Sequence, residues 1–311
     1  GLEFQPDFTW IKNRDQTDSH CLFDSSRGVT KLLSSNSDGA ETTDADSLKS
    51  WTADGFTVGA DVKVNTSGEK YISWNWKANG GTTTTNDASE TGVGTIDSAY
   101  QVDTTTGFSI VTYTGTGSGG SLAHGLGAVP KFMITKSRSD SGTTWAVYSK
   151  GAGNGYLDLG TTAAYDSGSW AWNNTDPTST VFTVNSGLSG SGSTYIAYLF
   201  ITKEGFSKFG SYEGNGDANG TFVYCGFRPA FIITKSVDST SAWHMFDDQR
   251  EGYNVDNDQL EANATTVEAT TDMMDIVSNG FKFRIATDPN VAETYVYIAF
   301  AKNPFDYTTA R

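Results

Sequence analysis

The chain has 311 residues and sets 36 acidic side chains against 21 basic ones, a formal net charge of −15. The acidic residues are scattered along it, so its surface repels nucleic acid and anionic membrane. Thirty-four glycines, 13% aromatic and only 18% charged residues suit short strands joined by tight turns, and an all-β fold is expected.

The first predicted strand is FTWIKN at 8–13, followed by LFDSSRG at 22–28 and, much later, by the closing strand KYISWNWK at 70–77. Residues 81–106 read as a Thr/Gly-rich linker, although VGTIDSAYQVDT within them alternates and fits an added strand. From 107 the text becomes familiar. An opening hairpin GFSIVTYTGTG leads to PKFMITKS at 130–137 and to TYIAYLF at 194–200; then GFSKFGSYEGNG at 205–216, PAFIITKS at 229–236 and TYVYIAF at 294–300 follow in the same order. Phe132, Ile134 and Lys136 recur as Phe231, Ile233 and Lys235, and Pro6 and Lys12 precede Pro130 and Lys136 at one constant spacing. A period this long marks a repeated domain, not a repeated word.

Three tandem β-sandwich, jelly-roll-like repeats are therefore expected, at 1–80, 107–204 and 205–311, the last with a C-terminal tail. TYIAYLF and TYVYIAF, dense in β-formers and too short for helices, read as central strands with a strand on either side. The first copy has no counterpart of the opening hairpin, so the chain is expected to start inside a domain. Copies two and three abut at Lys203-Glu204-Gly205, which predicts a rigid tandem.

No apolar run approaches the roughly 20 residues of a membrane helix, and no charged-then-apolar signal segment opens the chain, so membrane insertion is not expected. Cys21 and Cys225 stand at non-equivalent places; one disulfide or two buried thiols acting as small hydrophobes fit, the latter being expected. His20, His124 and His244 are the only histidines and none are equivalent. No Gly-x-Ser-x-Gly elbow or similar setting surrounds them, so a non-enzymatic protein is expected. The unit Phe23-Asp24-x-x-Arg27 matches Phe246-Asp247-x-x-Arg250; a carboxylate facing an arginine pins a turn, and structural ion pairs are expected. VDNDQLE at 255–261 and GNGDANG at 214–220 offer oxygen ligands suited to calcium, but neither has the spaced loop ending in Glu. Both read as turns, and no cofactor is expected. Trp170 and Trp172 in SWAWNNTD, and Tyr253 in EGYNVDND, are candidates for stacking on a sugar ring. Alternation places only one of the two tryptophans on a given face, leaving the other for the core.

The segments QPDFTWIKNRDQ, LFDSSRG, DSLKSWTADGFTVG with EKYISWNWKANGG, HGLGAVPKFMI, FGSYEGNG, FVYCGFRPAFIITK and the ending AFAKNPFDYTTAR resemble the repeat-containing, tail-fibre-like virion proteins of marine tailed bacteriophages over essentially the whole chain. The resemblance implies a homo-oligomeric tail-fibre or appendage subunit on the virion surface, outside the cell, touching other virion proteins and a host-surface glycan. Two alternatives stand beside it. One is a filament or shell subunit without a receptor role, in which a neighbour donates the strands absent from the first copy. The other is a jelly-roll carbohydrate-active enzyme, which needs two carboxylates about 5 to 10 Å apart in a cleft.

Overall fold

Runs rich in Val, Ile, Phe, Tyr and Trp, bounded by Gly, Ser and Asp, dictate short extended segments, and a computed structural model shows them paired almost wholly antiparallel. It describes residues 2–250, 254 and 258–302. The N-terminal part carries β1 (Phe8–Asn13), β2 (Cys21–Asp24), β3 (Lys31–Leu32), β4 (Thr42–Thr43), β5 (Leu48–Thr52), β6 (Gly55–Val58) and β7 (Tyr71–Trp76). The middle part carries β8 (Thr84–Asn86), β9 (Ser98–Asp103), β10 (Phe108–Thr114), β11 (Gly120–Ala123), β12 (Phe132–Ser137), β13 (Ala146–Ser149), β14 (Leu157–Asp158), β15 (Val181–Val184) and β16 (Thr194–Phe200). The C-terminal part carries β17 (Ser207–Glu213), β18 (Phe222–Tyr224), β19 (Pro229–Ser236), β20 (His244–Asp247), β21 (Leu260–Glu261), β22 (Met274–Val277), β23 (Gly280–Phe283) and β24 (Thr294–Ala301).

Each part has one main sheet. Their orders are β2-β1-β7, β14-β13-β12-β16-β10-β9-β8 and β17-β24-β19-β20-β21. The strands read as central do lie between two others: β16 between β12 and β10, and β24 between β19 and β17. The pairing registers coincide as well. Phe8, Phe132 and Phe231 stand opposite Asp24, Ser149 and Asp247 on one side and Trp76, Phe200 and Phe300 on the other.

The expected linker is not a spacer. Its first half forms β8 and a single helical turn, Ala88–Thr91, which Asp87 caps and Gly92 ends in the left-handed region at φ 67°. Its second half, β9, pairs with β10 and extends the middle sheet. The turn into β10 needs Gly107, at φ 76°, because a Cβ there would stand 2.5 Å from Ile201.

Burial explains why FTWIKN and FMITKS are covered along their whole length. One face of every main sheet meets a single shared core, to which Trp10, Trp74 and Trp76, then Phe108, Trp145 and Tyr198, and then Phe231, Trp243 and Ile298 all belong. The opposite face meets a smaller layer of its own: residues such as Leu32 and Leu48 in the first part, β11-β15 in the second and β18-β23-β22 in the third. The three sheets thus meet around one core, which the direct junction at Lys203-Glu204-Gly205, read as a rigid tandem, did not reveal. Cys21 and Cys225 lie in different clusters as separate buried thiols, and burial raises both to about 12.

Candidate functional site: an apolar cavity at an open strand edge

Most charged side chains singled out in the sequence are spent on closing the three parts against one another. Asp24 accepts from the backbone and guanidinium of Arg27 and, at 2.6 Å, from the Tyr198 hydroxyl of the middle part. Asp247 likewise accepts from Arg250 at 2.8 Å and from Trp74 Nε1 of the first part at 3.2 Å. Trp74, Tyr198 and Ile298 share one register position. Ile298 has no proton to donate, and the middle part carries Ser149 in place of the aspartate; a buried carboxylate without that donor would be under-satisfied.

Glutamates complete the seams. Glu41 bridges Arg27 at 3.2 Å and Arg138 at 2.9 Å, and Glu268 bridges Arg250 at 2.9 Å and Arg14 at 2.6 Å. Burial alone would raise both carboxyls, but hydrogen bonds from Arg138 and Arg14, with the second arginine's charge, hold them below their usual range. Backbone bonds follow the same circuit: Glu41 N donates to Arg138 O, Tyr165 N to Val237 O and Glu268 N to Arg14 O. Ring donors repeat it. Trp145 Nε1 donates to Ser34 and Ser37 carbonyls, Trp243 Nε1 to Asp158 O, and His20 Nε2 to Glu261 O. Because Trp10 Nε1 donates to His20 Nδ1 at 2.8 Å, the imidazole is the Nε2–H tautomer. Burial, then the charge of Lys12, lowers His20 to about 3.

The histidines divide. His124 takes Leu126 N–H on Nδ1 and donates to Thr178 O, and burial lowers it to about 4. His244 bonds Asp288 at 2.9 Å, and Ser241 and Tyr295 also donate to Asp288. This cluster was not legible from the sequence, since 44 residues separate His244 from Asp288. It holds serine, histidine and aspartate, yet Ser241 bonds the carboxylate directly and not the imidazole, so no base is set against the hydroxyl.

Trp172 is fully buried, while Trp170 is 39% exposed; both lie in a turn and not in a strand, and Ala171 between them is buried as well, so strand alternation is not what divides the pair. Trp170 packs against Tyr156 at a centroid distance of 5.2 Å, and its ring covers Gly187 so closely that a Cβ there would stand 2.3 Å away. Tyr253 lies outside the described residues, as do residues 255–257 of VDNDQLE. In GNGDANG the Asn215 Oδ1 accepts from Asn290 Nδ2 and Asp217 N, so donors of the chain occupy an oxygen that a cation would need. Asp38 and Asp158 line a small cavity of about 150 Å³, beside the Lys136 ammonium bound to Asp38 O and Thr143. Burial raises Asp158 and lowers Lys136, the latter to about 8.

A cavity of about 520 Å³ lies where the first sheet stops. β7 pairs with β1 on one side and with no described strand on the other. In the other two main sheets the corresponding edges, those of β16 and β24, are covered by β10 and β17. Trp74 and Trp76 of β7, with Phe206, Phe231 and Phe300, form the apolar wall, and Leu2 and Phe4 join it. Its one carboxylate, Asp247, is already neutralised by Arg250. Asn75 Oδ1 on the same strand is buried without a hydrogen-bond partner.

Fold and cavity together define an all-β protein with an apolar trough beside the edge of β7 that no described strand pairs. The chain belongs to the DUF7483 family, a domain of unknown function, which matches residues 1–304. No curated protein and no solved structure matches it.

Proposed function

We propose that this chain is a non-enzymatic virion surface protein, a tail-fibre or appendage subunit made of three tandem β-sandwich repeats, jelly-roll-like in character, that works as a homo-oligomer. The observation that carries the reading is the use of charge: Asp24, Glu41, Asp247 and Glu268 all face arginines across or beside the seams, which favours a rigid, load-resisting body. The coincident registers of Phe8, Phe132 and Phe231 support the repeats, and the resemblance of the whole chain to repeat-containing virion proteins supports the setting. Gold-labelled antibody against the chain, applied to particles whose genome encodes it, is expected to decorate a tail or appendage. Label confined to lysate, with bare particles, overturns the proposal.

A second reading keeps the subunit but removes the receptor role. It is favoured by Trp170, whose ring is occupied by Gly187 and Tyr156 and so presents little free face to a sugar. Binding of the intact protein to a panel of host-surface glycans separates the two: a hit lost in Trp170→Ala supports host attachment, and a blank panel supports the purely structural subunit.

A further inference from the structure

We propose that the open edge of β7 and the cavity beside it are an acceptor site for an extended strand supplied by another polypeptide, with a large aromatic side chain pointing inward. This deepens the structural-subunit reading and rests on it only for the source of the strand.

The occupant's chemistry is written in the two edges that are filled. Beside β16, β10 sets Phe108 opposite Phe200 and Ile110 opposite Tyr198. Beside β24, β17 sets Phe209 opposite Ile298 and Ser207 opposite Phe300, so an inward aromatic is what the two filled edges share. These aromatics also reach the neighbouring part of the molecule. Phe108 lies 6.2 Å from Phe8, and Phe209 stacks on Phe132 at 6.0 Å. Phe231 holds the register of Phe8 and Phe132, and it faces the cavity instead of a ring from an opening strand. The void thus lies along the β7 edge where the third such side chain would sit, lined by Phe231 and Trp76, whose rings meet each other at 5.9 Å.

Among the described residues the edge is also unprotected. Proteins blunt exposed edges with lysine, proline or bulges, yet β7 reads YISWNW and pairs with β1 without a bulge. Its inward residues, Ile72, Trp74 and Trp76, alternate as in a strand meant to have neighbours on both sides. Strand addition would supply main-chain hydrogen bonds along the edge and fill the apolar trough, the combination that gives β-augmentation both affinity and register.

The test uses the intact chain and a labelled peptide of the β10 sequence, GFSIVTYTGTG. Saturable binding is expected, with hydrogen exchange slowed at the amides of residues 71–76. A peptide carrying the changes Phe108→Ser and Ile110→Ser is expected to bind roughly tenfold or more weakly, because two large apolar side chains no longer leave water. Absence of saturable binding, equal affinity of the serine peptide, or protection at another edge such as β8 or β17 overturns the proposal. Failure here leaves the antibody labelling of particles untouched, so the acceptor site and the virion reading fall separately.

Discussion

At the residue scale the buried charges are the most exacting feature. Asp24 is fully buried against Arg27 and Tyr198, so Asp24→Ala leaves a buried guanidinium facing no carboxylate of its own strand end. A loss of about 3–5 kcal/mol in denaturant unfolding is expected. The double change Asp24→Ser with Arg27→Ala copies Ser149 and Ala152 of the middle part and is expected to cost less, since it removes both charges. If the double variant proves worse than the single one, the pair contributes little through charge. The histidines set a pH dependence. His20 and His124 stay neutral in the fold to about 3 and about 4, whereas in the unfolded chain histidine takes a proton near pH 6.5. Between those limits the unfolded state binds more protons, so stability falls as pH falls below about 6.5. Glutamine at both positions can accept and donate as the imidazoles do, and this double variant is expected to lose less stability than wild type between pH 6.5 and 5. Parallel pH profiles would contradict the assignment.

At the element scale, the seams decide whether the sheets remain together. Glu268 ties β1's end, through Arg14, to Arg250 after β20. Glu268→Gln keeps the shape and removes the charge from two partly or fully buried arginines, and a loss of about 2–4 kcal/mol is expected. Glu41→Gln at the corresponding seam should behave alike, and urea midpoints of the two variants compare them. An effect confined to one seam would show that the two bridges are not mechanically equivalent. The strands themselves were legible: FTWIKN, FMITKS, TYIAYLF and TYVYIAF all pair as strands, because β-branched and aromatic side chains suit a pleated surface buried on both faces. The segment 81–106 was only half legible. Its alternating second half reads as a strand and pairs with β10, but its polar, threonine-rich opening reads as linker, whereas Thr84–Asn86 pairs with β9, and Gln101 hydrogen-bonds Ser26 at 2.6 Å, far away in the chain.

At the scale of the whole molecule, the shared core predicts cooperativity. Trp10, Tyr198 and Phe231 belong to one cluster, so no main sheet can leave without exposing the apolar faces of the other two. Calorimetry is expected to give one transition with calorimetric and van't Hoff enthalpies in agreement. Separate transitions, or an independently folded 107–204 fragment, would mean that each part keeps a self-sufficient core. The sequence by itself determined the all-β class, the main strands, the aromatic and aliphatic positions of the core and the arginine-facing aspartates. All of these are local or follow from comparing one stretch of the chain with another. Only the tertiary structure decided that the three sheets close around a common core, that Glu41 and Glu268 bridge pairs of arginines, that His244 meets Asp288, and that the edge of β7 which no described strand pairs opens onto an apolar cavity. Side-chain periodicity tells a strand which face is buried, but a strand covered on both faces has no alternation to say what lies on either side.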